Sequence, residues 1–164
     1  MDTREFRNTV GNFASGVTII TTKNEEEEKF VGLTVNAFSS LSLDPAQILF
    51  CIDKGSSSLP AVKTGNQFVV NILQEEQASV CRGFAKKGGD KFAGVDYSIT
   101  EKGIPVLNDN LASIHCTVHE ILEGGDHYIV VGDVSDFSYD ETKKPLVFYR
   151  GKFESISSYS TTGV

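Results

Sequence analysis

The sequence predicts a mainly β domain, a closed or half-closed antiparallel barrel with a few flanking helices, and three observations carry that prediction. Short β-branched or alternating runs recur at residues 17–22, 47–52 and 112–119. Turn residues separate them, among them Asp44-Pro45 and Gly124-Gly125-Asp126. The β-α-β alternation and glycine loop of a dinucleotide-binding sheet are missing, which leaves the antiparallel arrangements.

The elements follow in order. Residues 2–14 predict an amphipathic helix: Asp2 caps it, Glu5 sits at the capping-box position, and Phe6, Val10, Phe13 and Ala14 share a face before Gly16 ends it. Residues 17–22 predict a strand, Glu25-Glu26-Glu27-Glu28 a solvated hairpin tip, and residues 30–37 a second strand. A third strand covers 47–52, and residues 56–64 predict a short helix with serines at its start. The run 68–73 is apolar on both faces, as befits a central strand or a subunit interface.

Residues 75–85 predict a helix with Val80, Cys81 and Phe84 on one side, followed by a glycine-punctuated stretch over 86–110. Ala112, Ile114, Cys116 and Val118 then alternate with polar residues. A turn at 123–126 sends the chain back through 127–137, and 144–151 opens a last strand. The domain is expected over residues 1–156, with 157–164 as a small, polar, disordered tail.

Composition narrows the function. The chain has 164 residues, enough for one well-buried domain, and a formal charge of −7 that disfavours nucleic acid as a partner. It has no apolar run of membrane-spanning length and no basic-then-apolar leader, so no membrane association and a cytoplasmic location are expected. Cys51, Cys81 and Cys116 form no C-x-x-C and read as buried thiols. His115 and His119 lie in a strand pattern, where i,i+4 spacing does not build a metal site, so no metal is expected. Nucleophile and phosphate-loop motifs are absent too, which points to chemistry supplied by a cofactor.

Four constellations are suited to hold one. Thr34, Asn36, Ser39 and Ser40 offer hydroxyls, an amide and accessible backbone to a flat polar ligand, and read equally as a strand running into a polar loop. Cys51, Ile52 and Lys54 with Ser56 and Ser57 suit a phosphate, or simply a cap and a surface charge. Phe84, Ala85, Lys91 and Phe92 suit a ribityl phosphate or adenine tail, or a helix end and a core aromatic. Asp126 closes the hairpin turn and His127 follows it, suiting a nicotinamide nucleotide or standing as an incidental surface histidine, with Tyr149 equally open.

The order of these segments resembles the short-chain flavin reductases, the small components of two-component flavin-dependent monooxygenases. The resemblance runs from Phe6-Arg7 and Gly11 to Phe13-Ala14-Ser15-Gly16-Val17-Thr18, through residues 32–45, Gly103-Ile104-Pro105, Gly125-Asp126-His127 and Pro145-Leu146, covering residues 4–156. It implies a Greek-key FMN-binding split β-barrel, usually a homodimer, that reduces FMN or FAD with NADH or NADPH and supplies a monooxygenase. Carried over by position, Thr34, Val35, Asn36, Ala37, Phe38, Ser39 and Ser40 would line the flavin ring. Cys51, Ile52, Lys54, Ser56 and Ser57 would meet its edge and phosphate, and Phe84, Ala85, Lys91 and Phe92 would flank the tail. Asp126, His127 and Tyr149 would face the nicotinamide, with His127 as the catalytic candidate. A flavin-holding electron carrier or sensor that does not use nicotinamide is the alternative, and a β-barrel binding module without a cofactor a more distant one.

Overall fold

The computed structural model describes residues 1–157; the predicted tail, apart from Ser157, lies outside them. The first helix, α1 (Thr3–Val10), begins as expected, with the Asp2 carboxylate accepting from the N–H groups of Arg4 and Glu5. It is shorter than its apolar pattern: Gly11 caps it, and the Asn12 side-chain amide donates to the carbonyls of Asn8 (2.8 Å) and Thr9 (3.1 Å). None of its residues is buried.

Seven strands make the main sheet: β2 (Thr18–Asn24), β3 (Lys29–Val35), β4 (Phe38–Leu43), β5 (Ala46–Asp53), β6 (Gln67–Ile72), β9 (Ala112–Gly124) and β10 (His127–Tyr139), in the order β3-β2-β6-β9-β10-β5-β4. Every pairing is antiparallel. Two small sheets complete the fold, one of β1 (Ser15–Gly16), β11 (Val147–Tyr149) and β12 (Lys152–Glu154), the other of β7 (Tyr97–Ile99) and β8 (Pro105–Leu107). Strand β6 lies between β2 and β9 with residues 68–71 buried, so its two-faced apolarity marks a central strand.

The mainly β, antiparallel expectation holds, and of the closed and half-closed forms the ladders show no closed one. No ladder joins β3 to β4, and the sheet is open in its hydrogen bonding. Leu33 and Val35 from one end nevertheless share a core with Phe50 and Ile52 from the other, alongside Ile20, Phe68, Val70, Cys116 and Val130. A sheet whose ends meet in one core is strongly curled. Ile19 and Ile20 point to opposite faces yet are both fully buried, because a second core covers the outer face. There Ile19 packs with Leu73, Phe92, Leu107 and the Cys81 and Phe84 side chains of α2 (Ala78–Ala85).

Two further differences have local causes. The helix expected over 56–64 reduces to one 3-10 turn, Leu59–Ala61, which contains Pro60 and ends where Val62 turns extended. Conversely, residues 38–43 are a strand rather than a loop. As the sheet's edge, β4 has β5 as its only ladder partner among the described residues, and its serines at 39 and 40 stay in solvent.

Candidate functional site

The open seam of the sheet is also its cleft. Where β3 ends, residues 36 and 37 leave the ladder before β4 begins, and across the gap β5 runs out at Asp53. Between them lies a cleft of about 520 Å³, floored by residues 33–37 and 51–53. Its sides come from Ser56 and Ser57, the end of α2 at Phe84 and Ala85 with the following loop, and His127. That volume lies within the range of small-molecule sites.

Local hydrogen bonds hold these walls. Thr34 Oγ1 donates to the Cys81 carbonyl at 2.9 Å, tying β3 to α2, and the Cys51 N–H donates to the Ala37 carbonyl at 3.0 Å. Burial pushes the Cys51 thiol up, so it stands as a neutral wall rather than a thiolate. The Asn36 side chain is exposed. His127 Nδ1 pairs with Asp126 Oδ1 at 2.7 Å, which leaves its Nε2 for a ligand.

The charge pattern is unexpected in so acidic a chain. Lys86, Lys87 and Lys91 all line the cleft, and among the described residues none is paired with a carboxylate. Lys91 is partly buried, its Nζ donating to the carbonyls of Gly32 (3.1 Å) and Phe84 (3.0 Å), and desolvation pushes its pKa down. A cation held by neutral carbonyls with no counter-ion suits a ligand anion.

The structure thus gathers Thr34, Val35, Asn36, Ala37, Cys51, Ile52, Ser56, Ser57, Phe84, Ala85, Lys91 and His127 around one cleft, while Phe92 lines an adjoining chamber. Other candidates lie elsewhere. Phe38 packs on the main core, and Ser39 and Ser40 lie along β4. Lys54 is hydrogen-bonded to Glu123 and lies 4.8 Å from the Tyr128 ring centroid. Asp126 touches the cleft only through His127, and Tyr149 lies in the small sheet beneath the Arg150 guanidinium. Leu33, Asp53, Lys86 and Lys87 line the cleft without having been singled out; the doublet of lysines beside Gly88-Gly89 was the visible signal for the last two.

Fold and cleft define a class of protein in which a curled antiparallel sheet carries an open seam lined by small, polar and cationic side chains. Comparison with known proteins narrows this. Residues 10–157 match the family described as "flavin reductase like domain". The chain is 41% identical over 161 residues to the reductase subunit of a flavin-dependent monooxygenase from Rhodococcus jostii, covering 98% of this chain and 82% of that protein. It is 36% identical over 158 residues to a flavin reductase of Pseudomonas putida, covering 96% and 92%. Among solved structures, nitrilotriacetate monooxygenase component B from Mycobacterium thermoresistibile superposes with a TM-score of 0.91 at 40% identity, covering 99% of this chain and 93% of that one. The chain belongs to the flavin reductase-like family, whose sheet arrangement it shares and whose activity, NAD(P)H-dependent reduction of a flavin, is its own.

Proposed function

We propose that the seam cleft is where this reductase holds FMN or FAD, and that the reduced flavin passes to a partner flavin-dependent monooxygenase. One observation carries the site: four separated stretches, residues 33–37, 51–57, 84–91 and 127, converge on one cleft. The relatives' printed roles as reductase subunits support the partner. In this reading residues 34–37 and 51–52 hold the ring, Ser56, Ser57 and Lys91 meet the phosphate, and NADH or NADPH approaches on the His127 side. In this reading the domain is a split barrel whose gap is the binding site, which the curl of the open sheet supports.

When bound, the two coenzymes supply the redox chemistry themselves, a hydride passing from reduced nicotinamide to flavin. The protein's work is alignment. Asp126 fixes the His127 ring, His127 positions the nicotinamide nucleotide, and the walls from Val35 and Ile52 exclude water. Good alignment contributes up to about 7–11 kcal/mol, enough to dispense with an acid, base or nucleophile.

No helix among the described residues is long and apolar enough to cross a membrane, and a cytoplasmic enzyme is the reading adopted. Exposed apolar side chains along β4 and β10 suit a homodimer: Leu43 is 94% exposed, Phe137 67% and Tyr139 68%. Anaerobic addition of NADH to protein and flavin tests the central assignment. Bleaching of the flavin's yellow absorbance is expected, accelerated by the protein. In the His127→Ala variant the nicotinamide KM should rise several-fold with flavin affinity unchanged; an unchanged nicotinamide KM would remove His127 from the site.

A further inference from the structure

The seam cleft is lined by three lysines and, among the described residues, by a single carboxylate, that of Asp53. In a site for phosphate-bearing coenzymes an acid is costly, since it repels the ligand's own charge. Its position is specific. Asp53 ends β5 directly across from His127, the first residue of β10. Side chains paired in this way stand on one face of a sheet, with Cβ atoms roughly 4.5–5.5 Å apart. Both residues line the cleft, and neither lines the adjoining chamber that Lys91 also reaches. Among the described residues Asp53 enters no salt bridge, and the neighbouring Lys54 is taken by Glu123. Asp53 Oδ1 accepts from the Gly55 N–H at 2.6 Å, a turn contact that a neutral Asn makes equally well. The turn needs the oxygen and not the charge.

Resting on the placement of NADH or NADPH at the His127 side, we propose that the Asp53 carboxylate stabilises the positive charge that develops on the nicotinamide during hydride transfer. The reaction breaks the C–H bond at C4 of the dihydronicotinamide and forms an N–H bond at N5 of the flavin. The proton moves with both bonding electrons. The nicotinamide, oxidised by two electrons, leaves the step as a cation, and the flavin, reduced by two, as an anion. A fixed carboxylate beside the nicotinamide ring therefore contributes more in the transition state than before it. Such a charge raises the rate and leaves the affinity for the neutral, reduced ring nearly unchanged. It also gives a use to the one acid in a cleft otherwise furnished for anions.

Asp53→Asn separates charge from structure, because it keeps the Gly55 contact. Stopped-flow reduction of flavin at saturating NADH should slow by about tenfold, the order of one charge acting at a water-facing site. The NADH concentration giving half the maximal rate should stay within about twofold of the unaltered protein's. Calorimetric titration with NAD⁺, whose ring is already cationic, in the presence of oxidised flavin should show affinity lower by about fivefold. Asp53→Glu, which restores the charge one methylene further out, should recover part of both losses, and all three proteins should melt alike. A reduction rate in Asp53→Asn equal to that of the unaltered protein overturns the proposal. So does a loss confined to the half-saturating NADH concentration, since the carboxylate then serves binding alone, and so does an NAD⁺ affinity that does not move. Should His127→Ala leave the nicotinamide KM unchanged, the placement of the reductant fails and the proposal with it, a result distinct from the others.

Discussion

His127 opens β10 one residue beyond a two-residue turn, so its ring sits at the rim of the cleft while its neighbours enter the sheet. Asp126 is what makes that placement specific. Its carboxyl is held below the ordinary carboxylate value, chiefly by the hydrogen bond from His127 and then by the charge on that ring. A depressed folded value means the pairing contributes above the unfolded carboxylate pKa and is lost as pH falls through the folded one. Nicotinamide KM should therefore not respond to Asp126 through the neutral range and should rise only in acid. Replacing Asp126 with Asn should raise that KM about two- to fivefold at neutral pH, the scale of an exposed charge pair, with flavin affinity unmoved. Steady-state kinetics at fixed flavin would check it, and a KM equal to that of the unaltered enzyme would show that the carboxylate does not orient the ring.

Two buried positions govern how the elements meet. Gly32 of β3 passes so close beneath α2 that a Cβ there would lie 2.3 and 2.5 Å from Phe84 ring carbons. Phe84 is buried and has nowhere to go. Gly32→Ala should lower stability by about 1–3 kcal/mol, the cost of an overpacked core, and Gly32→Ala with Phe84→Leu should recover part of it in thermal melts. Asn71, fully buried in β6, donates to the Ile19 carbonyl and Thr21 Oγ1 and accepts from the Leu107 N–H and the Asn110 amide, each at 2.9 Å. Asn71→Leu would strand several of these groups and should cost about 3 kcal/mol, read from the urea midpoint. The hydrophobic pattern located the strands that Ile20, Phe68 and Cys116 anchor, because period-two burial is written locally. It missed β4, whose serines owe their strand conformation to β5, and it overextended α1, whose end is set by the Asn12 side chain. Asn71 itself hid inside an apolar run, its partners more than thirty residues away.

At the scale of the molecule the cleft was legible as an order of motifs, since residues 34–37, 51–57 and 84–91 each carried polar or cationic groups beside small ones. What local sequence did not contain was the pairing of distant charges. Lys54 looked like the phosphate ligand, yet Glu123 claims it from 69 positions away, and among the described residues the cleft-lining cations without a carboxylate partner are Lys86, Lys87 and Lys91. The same distinction bears on assembly. Strand β6, apolar on both faces, was one candidate for a subunit interface, but β2 and β9 enclose it, and any interface must use other surface. The face joining β4 to the far end of β10 offers Leu43, Phe137 and Tyr139 around an apolar recess of about 290 Å³ that includes Ile48 and Val134. Large apolar side chains displayed together on an acidic, otherwise well-buried chain are expected to be covered by a second copy. Sedimentation velocity at micromolar protein should give twice the 17.8 kDa chain mass. Phe137→Asp places a charge on an exposed side chain that does not belong to either core, so the fold should survive. Its sedimentation should shift to the single chain. A dimer that persists in this variant would place the interface elsewhere, with the exposed Phe6, Val10 and Phe13 around α1 as the next surface to alter.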